Sequence, residues 1–261
     1  MDIEIPMLII LIILGFMASY VDNAFGMGFG TLTPILTALG FDPIIIVPVI
    51  LISQMSAGLS GSVFHAIFQN VKIETEETRD VKITLLLTLA GVLGMTIAIF
   101  LAINLSQIIV NVYIGVMIFA VGLLMVKEVG FKFSWKKMYA ISGLASFNKA
   151  ITGGGYGPIT TSGQVISGRD LEESVATSVM SESVLSGYGF LLYFLFEGFS
   201  GHLELTITLM VILVISAVIA TPLGALTADH LNKRKAKQYI GYVSIILGVF
   251  TLFRIIWDVI F

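Results

Sequence analysis

The sequence predicts an all-α integral membrane protein of two inverted repeats, each a broken, re-entrant helical hairpin followed by three transmembrane helices. Three observations predict it. The 261 residues are 57% hydrophobic and 12% charged, against about 25% charged residues in an ordinary globular domain. Residues 43–71, 83–126 and 205–228 contain no Asp, Glu, Lys or Arg, and each stretch exceeds the roughly 20 apolar residues that cross a bilayer as a helix. A set of short motifs also recurs about halfway along the chain. Nothing alternates apolar and polar in segments of about 10 residues, as the strands of a transmembrane barrel would.

The repeat divides the chain. Gly28-Phe29-Gly30 is answered by Gly155-Tyr156-Gly157, and Gly40-Phe41-Asp42 by Gly168-Arg169-Asp170. Ser53-Gln54 is answered by Ser181-Glu182, and Tyr113-Ile114-Gly115 by Tyr239-Ile240-Gly241. Four matches in the same order, with offsets of 126 to 128, mark a duplicated unit. The first repeat covers 1–130 and the second 131–261. Met1-Asp2-Ile3-Glu4 lacks the basic region of a signal peptide and no small-residue cleavage site follows, so the first apolar segment reads as mature protein.

Taken in order, the elements are a hairpin over 5–40 and helices over 43–69, 82–103 and 107–126. A second hairpin over 138–168 and helices over 172–197, 204–228 and 237–260 follow. The hairpins rest on charge. Of 14 Lys and Arg, three fall in 72–82, four in 127–137 and four in 233–237, which places these loops on the cytoplasmic side. If 138–168 crossed once, the last basic loop would emerge on the opposite face. It stays cytoplasmic if 138–168 enters and leaves on one side, as two half-helices of about 12 residues meeting at Gly153-Gly154-Gly155. Each half reaches ~18 Å at 1.5 Å per residue, about mid-membrane. By repetition 5–40 breaks at Gly26-Met27-Gly28-Phe29-Gly30, with the N-terminus outside. Three crossings per half then make the repeats inverted, an arrangement common in secondary transporters. The rival reading makes 138–168 one tilted span and breaks the charge rule.

A broken helix at membrane depth must line a cavity or be buried in protein. The returning half-helix near Gly157-Pro158 leaves backbone N–H groups free at its positive dipole end, which attracts anions. Thr160, Thr161 and Ser162 add hydroxyls there, and Thr31, Thr33 and Pro34 hold comparable places in the first hairpin. Gly28, Gly30, Gly154, Gly155 and Gly157 would bring backbone close to a bound anion; the alternative is that they only permit close helix packing. Intramembrane ionisable groups are few and costly. Asp22 and Lys149 each lie six residues before a repeat-equivalent glycine, Gly28 and Gly155. Lys149 either holds an anion as a point charge or is neutralised by Asp22. Glu182, with Gln54 as its counterpart, either relays protons or caps the hydroxyls of Ser178, Ser181 or Ser186. His65 reads either as a packed residue beside Asn70 or as a proton carrier, and Arg254 as a snorkelling side chain.

Several classes drop out. With no cysteine there are no disulfides or thiolate sites, and a net charge of −3 gives no nucleic-acid partner. No P-loop, metal-ligand cluster or nucleophile elbow is present, so neither an enzyme nor a cofactor is expected. What remains is a carrier for a small anion, an anion channel, or a cation/proton antiporter using Asp22 and Glu182. The apolar exterior suits a monomer or a homodimer in a lipid bilayer.

The run Asp22-Asn23-Ala24-Phe25-Gly26-Met27-Gly28-Phe29-Gly30-Thr31 and the run Asn148-Lys149-Ala150-Ile151-Thr152-Gly153-Gly154-Gly155-Tyr156-Gly157-Pro158 resemble the paired signatures of the sulfite exporter TauE/SafE family, also called toluene-sulfonate uptake permeases. Gly58-Leu59-Ser60-Gly61-Ser62-Val63-Phe64-His65 and Glu182 also fit. The resemblance covers essentially the whole chain. It implies a secondary transporter of sulfur-containing anions, such as sulfite or sulfonates, in a prokaryotic cytoplasmic membrane. Substrate and direction vary within such a family.

Overall fold

The computed structural model describes residues 4–26, 28–70, 79–102, 107–127, 134–167, 169–197 and 203–230, and short helical stretches between 238 and 253. The expected helix over 237–260 and the basic loops at 72–78 and 233–237 therefore lie partly or wholly outside the described residues. Within them the chain is helical, without a strand. The helices are α1 (Ile5–Phe25), α2 (Leu32–Ala38), α3 (Pro43–Ile67), α4 (Arg79–Ala102), α5 (Gln107–Val126), α6 (Trp135–Thr152), α7 (Tyr156–Ile166), α8 (Leu171–Glu197) and α9 (Leu203–His230). A 3-10 turn at Phe29–Thr31 leads into α2. Helices α1, α3, α4, α8 and α9 are each long and apolar enough to cross a membrane.

The local chemistry explains the ends. Pro43 sits in the first turn of α3, where its missing N–H costs nothing, and the Asp42 side chain accepts from Ile44 N at 3.0 Å as N-cap. α1 and α6 both stop at a glycine in the left-handed region, Gly26 and Gly153, each with φ 72°. The breaks fall at the expected glycines but the limbs are unequal. α1 has 21 residues and α2 seven, α6 has 18 and α7 eleven, not two halves of about 12. Gly15 and Gly143 stay helical inside these limbs, and no proline interrupts either beyond its first turn, so each first limb grows until its capping glycine.

Packing inverts the soluble pattern. Leu85, Leu89, Leu93 and Ile97 of α4, and Ile207, Val211, Ile215 and Ile219 of α9, recur every fourth residue and are exposed, a large-apolar face for lipid. Small and polar side chains face inward, as in membrane bundles. α1 lies parallel to α9, with Gly15 beside Leu213 and Ser216, Ser19 Oγ donating to Ala217 O at 2.7 Å, and Asn23 against Gly224. α4 lies parallel to α6 in the same way, with Ser142 Oγ donating to Leu87 O and Gly91 against Ser146. α3 and α8 cross antiparallel, since Leu51 meets Gly189, Met55 meets Gly187 and Gly58 meets Ser183. α5 also runs antiparallel to the C-terminal helical stretches: Gly115 meets Leu252, Phe119 meets Gly248 and Gly122 meets Gly241.

Candidate functional site

The two glycine breaks meet face to face in the interior. Gly30 and Gly154 touch backbone to backbone, so that a Cβ on Gly154 would stand 2.4 Å from Gly30 Cα, and one on Gly30 would stand 2.9 Å from Gly155 N. The contacts beside them are reciprocal. Gly26, the cap of α1, packs against Thr161 of α7, while Gly153, the cap of α6, packs against Thr33 of α2. Gly28 folds onto α1 so closely that a Cβ would lie 1.7 Å from Ala18 O, a place only glycine fits.

The hydroxyls at the tips are mostly engaged. Thr31 Oγ1 donates to Gly28 O at 2.9 Å, Thr160 Oγ1 to Tyr156 O at 3.0 Å, and Thr33 Oγ1 to Thr152 O across the two hairpins. Thr152 Oγ1 accepts from Gly154 N at 3.1 Å. Thr161 is the exception, with a buried Oγ1 that has no partner. The α7 N-terminus begins after Gly155, whose φ of 75° turns the chain into the helix, and Gly157 is buried in its first turn.

The ionisable groups converge beside the tips. Lys149, on the last turn of α6 and fully buried, donates to Glu182 Oε1 of α8 at 2.9 Å and to Gln54 Oε1 of α3. Asp22, on the last turn of α1, accepts the Gly28 N–H at 2.9 Å. Glu182 Oε2 is buried without a partner. So Lys149 is paired by Glu182, not directly by Asp22, and the Glu182 carboxyl meets an ammonium, not serine hydroxyls. Ser186 Oγ donates instead to the Glu182 backbone carbonyl, at 2.6 Å. His65 lies apart from this cluster, fully buried, with Nδ1 3.0 Å from Asn70 Nδ2, which also donates to Ala225 O.

Sequence reasoning passed over a second polar cluster. Arg169, between α7 and α8, is buried and donates to Asp80 at the start of α4, to Gln164 Oε1 and to Glu173 Oε2 at 3.3 Å. Gln164 Nε2 continues it to Ser178 Oγ at 3.0 Å, and Thr177 Oγ1 donates to Gln164 Oε1 at 2.9 Å. Glu182 lies one turn beyond Ser178 on α8. Asp80 and Arg169 lie 89 residues apart, so no local spacing links them; the adjacency of Arg169 to the Glu172-Glu173 start of α8 is the only sequence signal.

A family model described as Sulfite exporter TauE/SafE matches residues 11–251. No curated protein and no solved structure matches the chain.

Proposed function

The chain belongs to the sulfite exporter TauE/SafE family, and from that premise we propose that it moves a small sulfur-containing anion, such as sulfite or an organosulfonate, by alternating access with proton coupling through Glu182. The family is one of membrane transporters, and the apolar helices make this a multi-pass membrane protein. The cytoplasmic membrane of a prokaryote, with the basic loops inside, is the setting the charge pattern supports.

The observation that carries the reading is the convergence of both hairpin tips and four helices of both halves on Lys149. Broken helices meeting at a polar centre are where secondary transporters hold their substrates. The reciprocal pairs Gly26–Thr161 and Gly153–Thr33 are what a twofold relation requires, residue i touching j′ while j touches i′. The antiparallel crossing of α3 and α8 supports inversion. If 138–168 crossed the membrane once, these two helices would run the same way. We assign substrate contact to Lys149, to the backbone at Gly28, Gly30, Gly154, Gly155 and Gly157, and to Thr161 as the hydroxyl still free. Thr31, Thr33 and Thr160 hold the tips in shape.

Purified protein in proteoliposomes tests the reading directly. Saturable uptake of at least one of sulfite, thiosulfate or a simple sulfonate is expected, and failure of all of them defeats it. Two buried carboxyls against one lysine favour one rival, a cation/proton antiporter. Sodium-driven proton release without any anion would establish that instead.

A further inference from the structure

We infer that the site takes its substrate as a monoanion together with one proton, the anion replacing Glu182 at Lys149 while the proton settles on Glu182. The inference rests on the transport reading above and adds the charge of the cargo and the stoichiometry.

In a closed site the charges must balance. Asp22 is 3%, Glu182 2% and Lys149 0% exposed, so these three side chains sit away from water and their sum matters. An uncompensated charge in such a place is strongly disfavoured. Two carboxylates and one ammonium leave a net charge of −1. The empty site is neutral when one carboxyl holds a proton, and Asp22 is that carboxyl because Glu182 is the one engaged by Lys149.

Among the described residues no other charge enters the sum from the helices packed around Glu182; Lys136 and Lys137 of α6 stand exposed at its start. α1 contributes Asp22, α6 contributes Lys149, and α3 contributes the neutral Gln54, with His65 far along the helix against Asn70. α7 brings only Tyr156, whose hydroxyl lies 2.9 Å from Ser181 Oγ. α4 has Asp80 and Lys82 at its start, with Asp80 held by Arg169. α8 itself has Glu172 and Glu173 at its first turn, and α9 has Glu204 at its own.

A bound anion needs a cation. Of Asp22, Glu182 and Lys149 only Lys149 is a cation, and it is occupied by Glu182, so the anion takes the place of the carboxylate. Glu182 then has no counter-charge and must be neutral. Its Oε2, buried and without a partner, is the atom open to the incoming proton. With Asp22 and Glu182 both protonated the protein side of the site is +1, which a monoanion cancels. A dianion would leave −1, and among the described residues no third carboxyl joins Asp22 and Glu182 to absorb it. Hydrogensulfite and sulfonates fit; sulfate does not.

The test uses the full chain in proteoliposomes, with methanesulfonate as a fixed monoanion and sulfate as a fixed dianion. Methanesulfonate uptake should carry one proton per anion, read by an internal pH dye, and should not respond to a valinomycin-clamped potential. Sulfate should neither enter nor compete. D22N/E182Q, with both carboxyls held in the form of the protonated acid, should keep methanesulfonate binding and lose its pH dependence. Charge-carrying uptake, a proton ratio near zero, or sulfate entering as fast as methanesulfonate overturns this inference while leaving anion transport standing. If no sulfur anion moves at all, the transport reading falls and this inference with it.

Discussion

Replacing Gly154 by alanine tests the contact between the two hairpin tips, because the substitution acts there through space alone. The backbone at Gly154 is not in the left-handed region, so alanine is conformationally acceptable. Its Cβ, however, would stand 2.4 Å from Gly30 Cα, 2.8 Å from Gly30 N and 3.0 Å from Phe29 C. These are backbone atoms with no rotamer to yield. Ordinary contact begins at 3.4 Å, so the tips must separate by about 1 Å. A misplacement of that size at a binding centre costs on the order of 100-fold in rate. Gly155 supplies the contrast. It has φ 75°, yet a Cβ there meets nothing nearer than 3.9 Å. G155A should therefore store about 1–2 kcal/mol of backbone strain and leave the tips touching. Uptake by G154A should fall about 100-fold, whereas G155A should lose a comparable amount of stability and retain most uptake. If G154A transports as fast as the native protein, the tips do not form the working centre.

Three further outcomes follow from particular contacts. R169Q removes the cation that Asp80 and Glu173 share in a buried place and should cost about 3 kcal/mol, read as a lower unfolding temperature in detergent; native-like stability would show that the cluster is not structural. T33V breaks the bond that ties α2 to the Thr152 carbonyl and should cost about 1 kcal/mol or more, whereas T161V removes a hydroxyl with no partner and should leave stability unchanged while weakening anion binding. Single cysteines placed at Ser134, before α6, and at the exposed Asp170, after α7, should label from the same membrane face. Labelling from opposite faces excludes the re-entrant second hairpin.

How much of this could be read from the sequence depends on whether the cause was local. The helices α3, α4, α5, α8 and α9 begin and end within three residues of the expected positions, because uncharged apolar runs and flanking charges carry their own boundaries. The breaks were legible for the same reason, since Gly26, Gly153 and Gly155 need a backbone that glycine adopts most readily. Limb lengths were not, because half-helices were inferred from membrane thickness and nothing in the sequence before Gly153 stops α6. The pairing at Lys149 was half legible. The repeat aligns Lys149 with Asp22 and suggests that they meet, yet Lys149 reaches the repeat-equivalent couple Gln54 and Glu182 on two other helices. Position within a repeat says which residues correspond, and only packing decides which ones touch.

That distinction bears on how protons reach Glu182, because the two corresponding helices approach the centre with different chemistry. Along α8 the residues leading to Glu182 are Ser174, Thr177, Ser178 and Ser181. Their counterparts on α3, leading to Gln54, are Ile46, Val49, Ile50 and Ser53. The α8 approach is hydrogen-bonded through Gln164 to Arg169 and Asp80, whereas Ile46, Val49 and Ile50 join Phe41, Leu209 and Leu213 in one apolar cluster. If the halves are inverted, these approaches open on opposite faces, one lined with hydroxyls and one dry. Hydroxyls and the waters they hold conduct protons, and an apolar cluster does not. The double variant T177V/S178A should therefore slow proton-coupled uptake about tenfold, a loss of about 1.4 kcal/mol in the barrier, with equilibrium binding of methanesulfonate unchanged. The corresponding V49A/I50A should leave the proton-to-anion ratio and the pH dependence as they are. Equal slowing by both pairs would mean that the asymmetry between α3 and α8 concerns packing alone, and that protons reach Glu182 from either side.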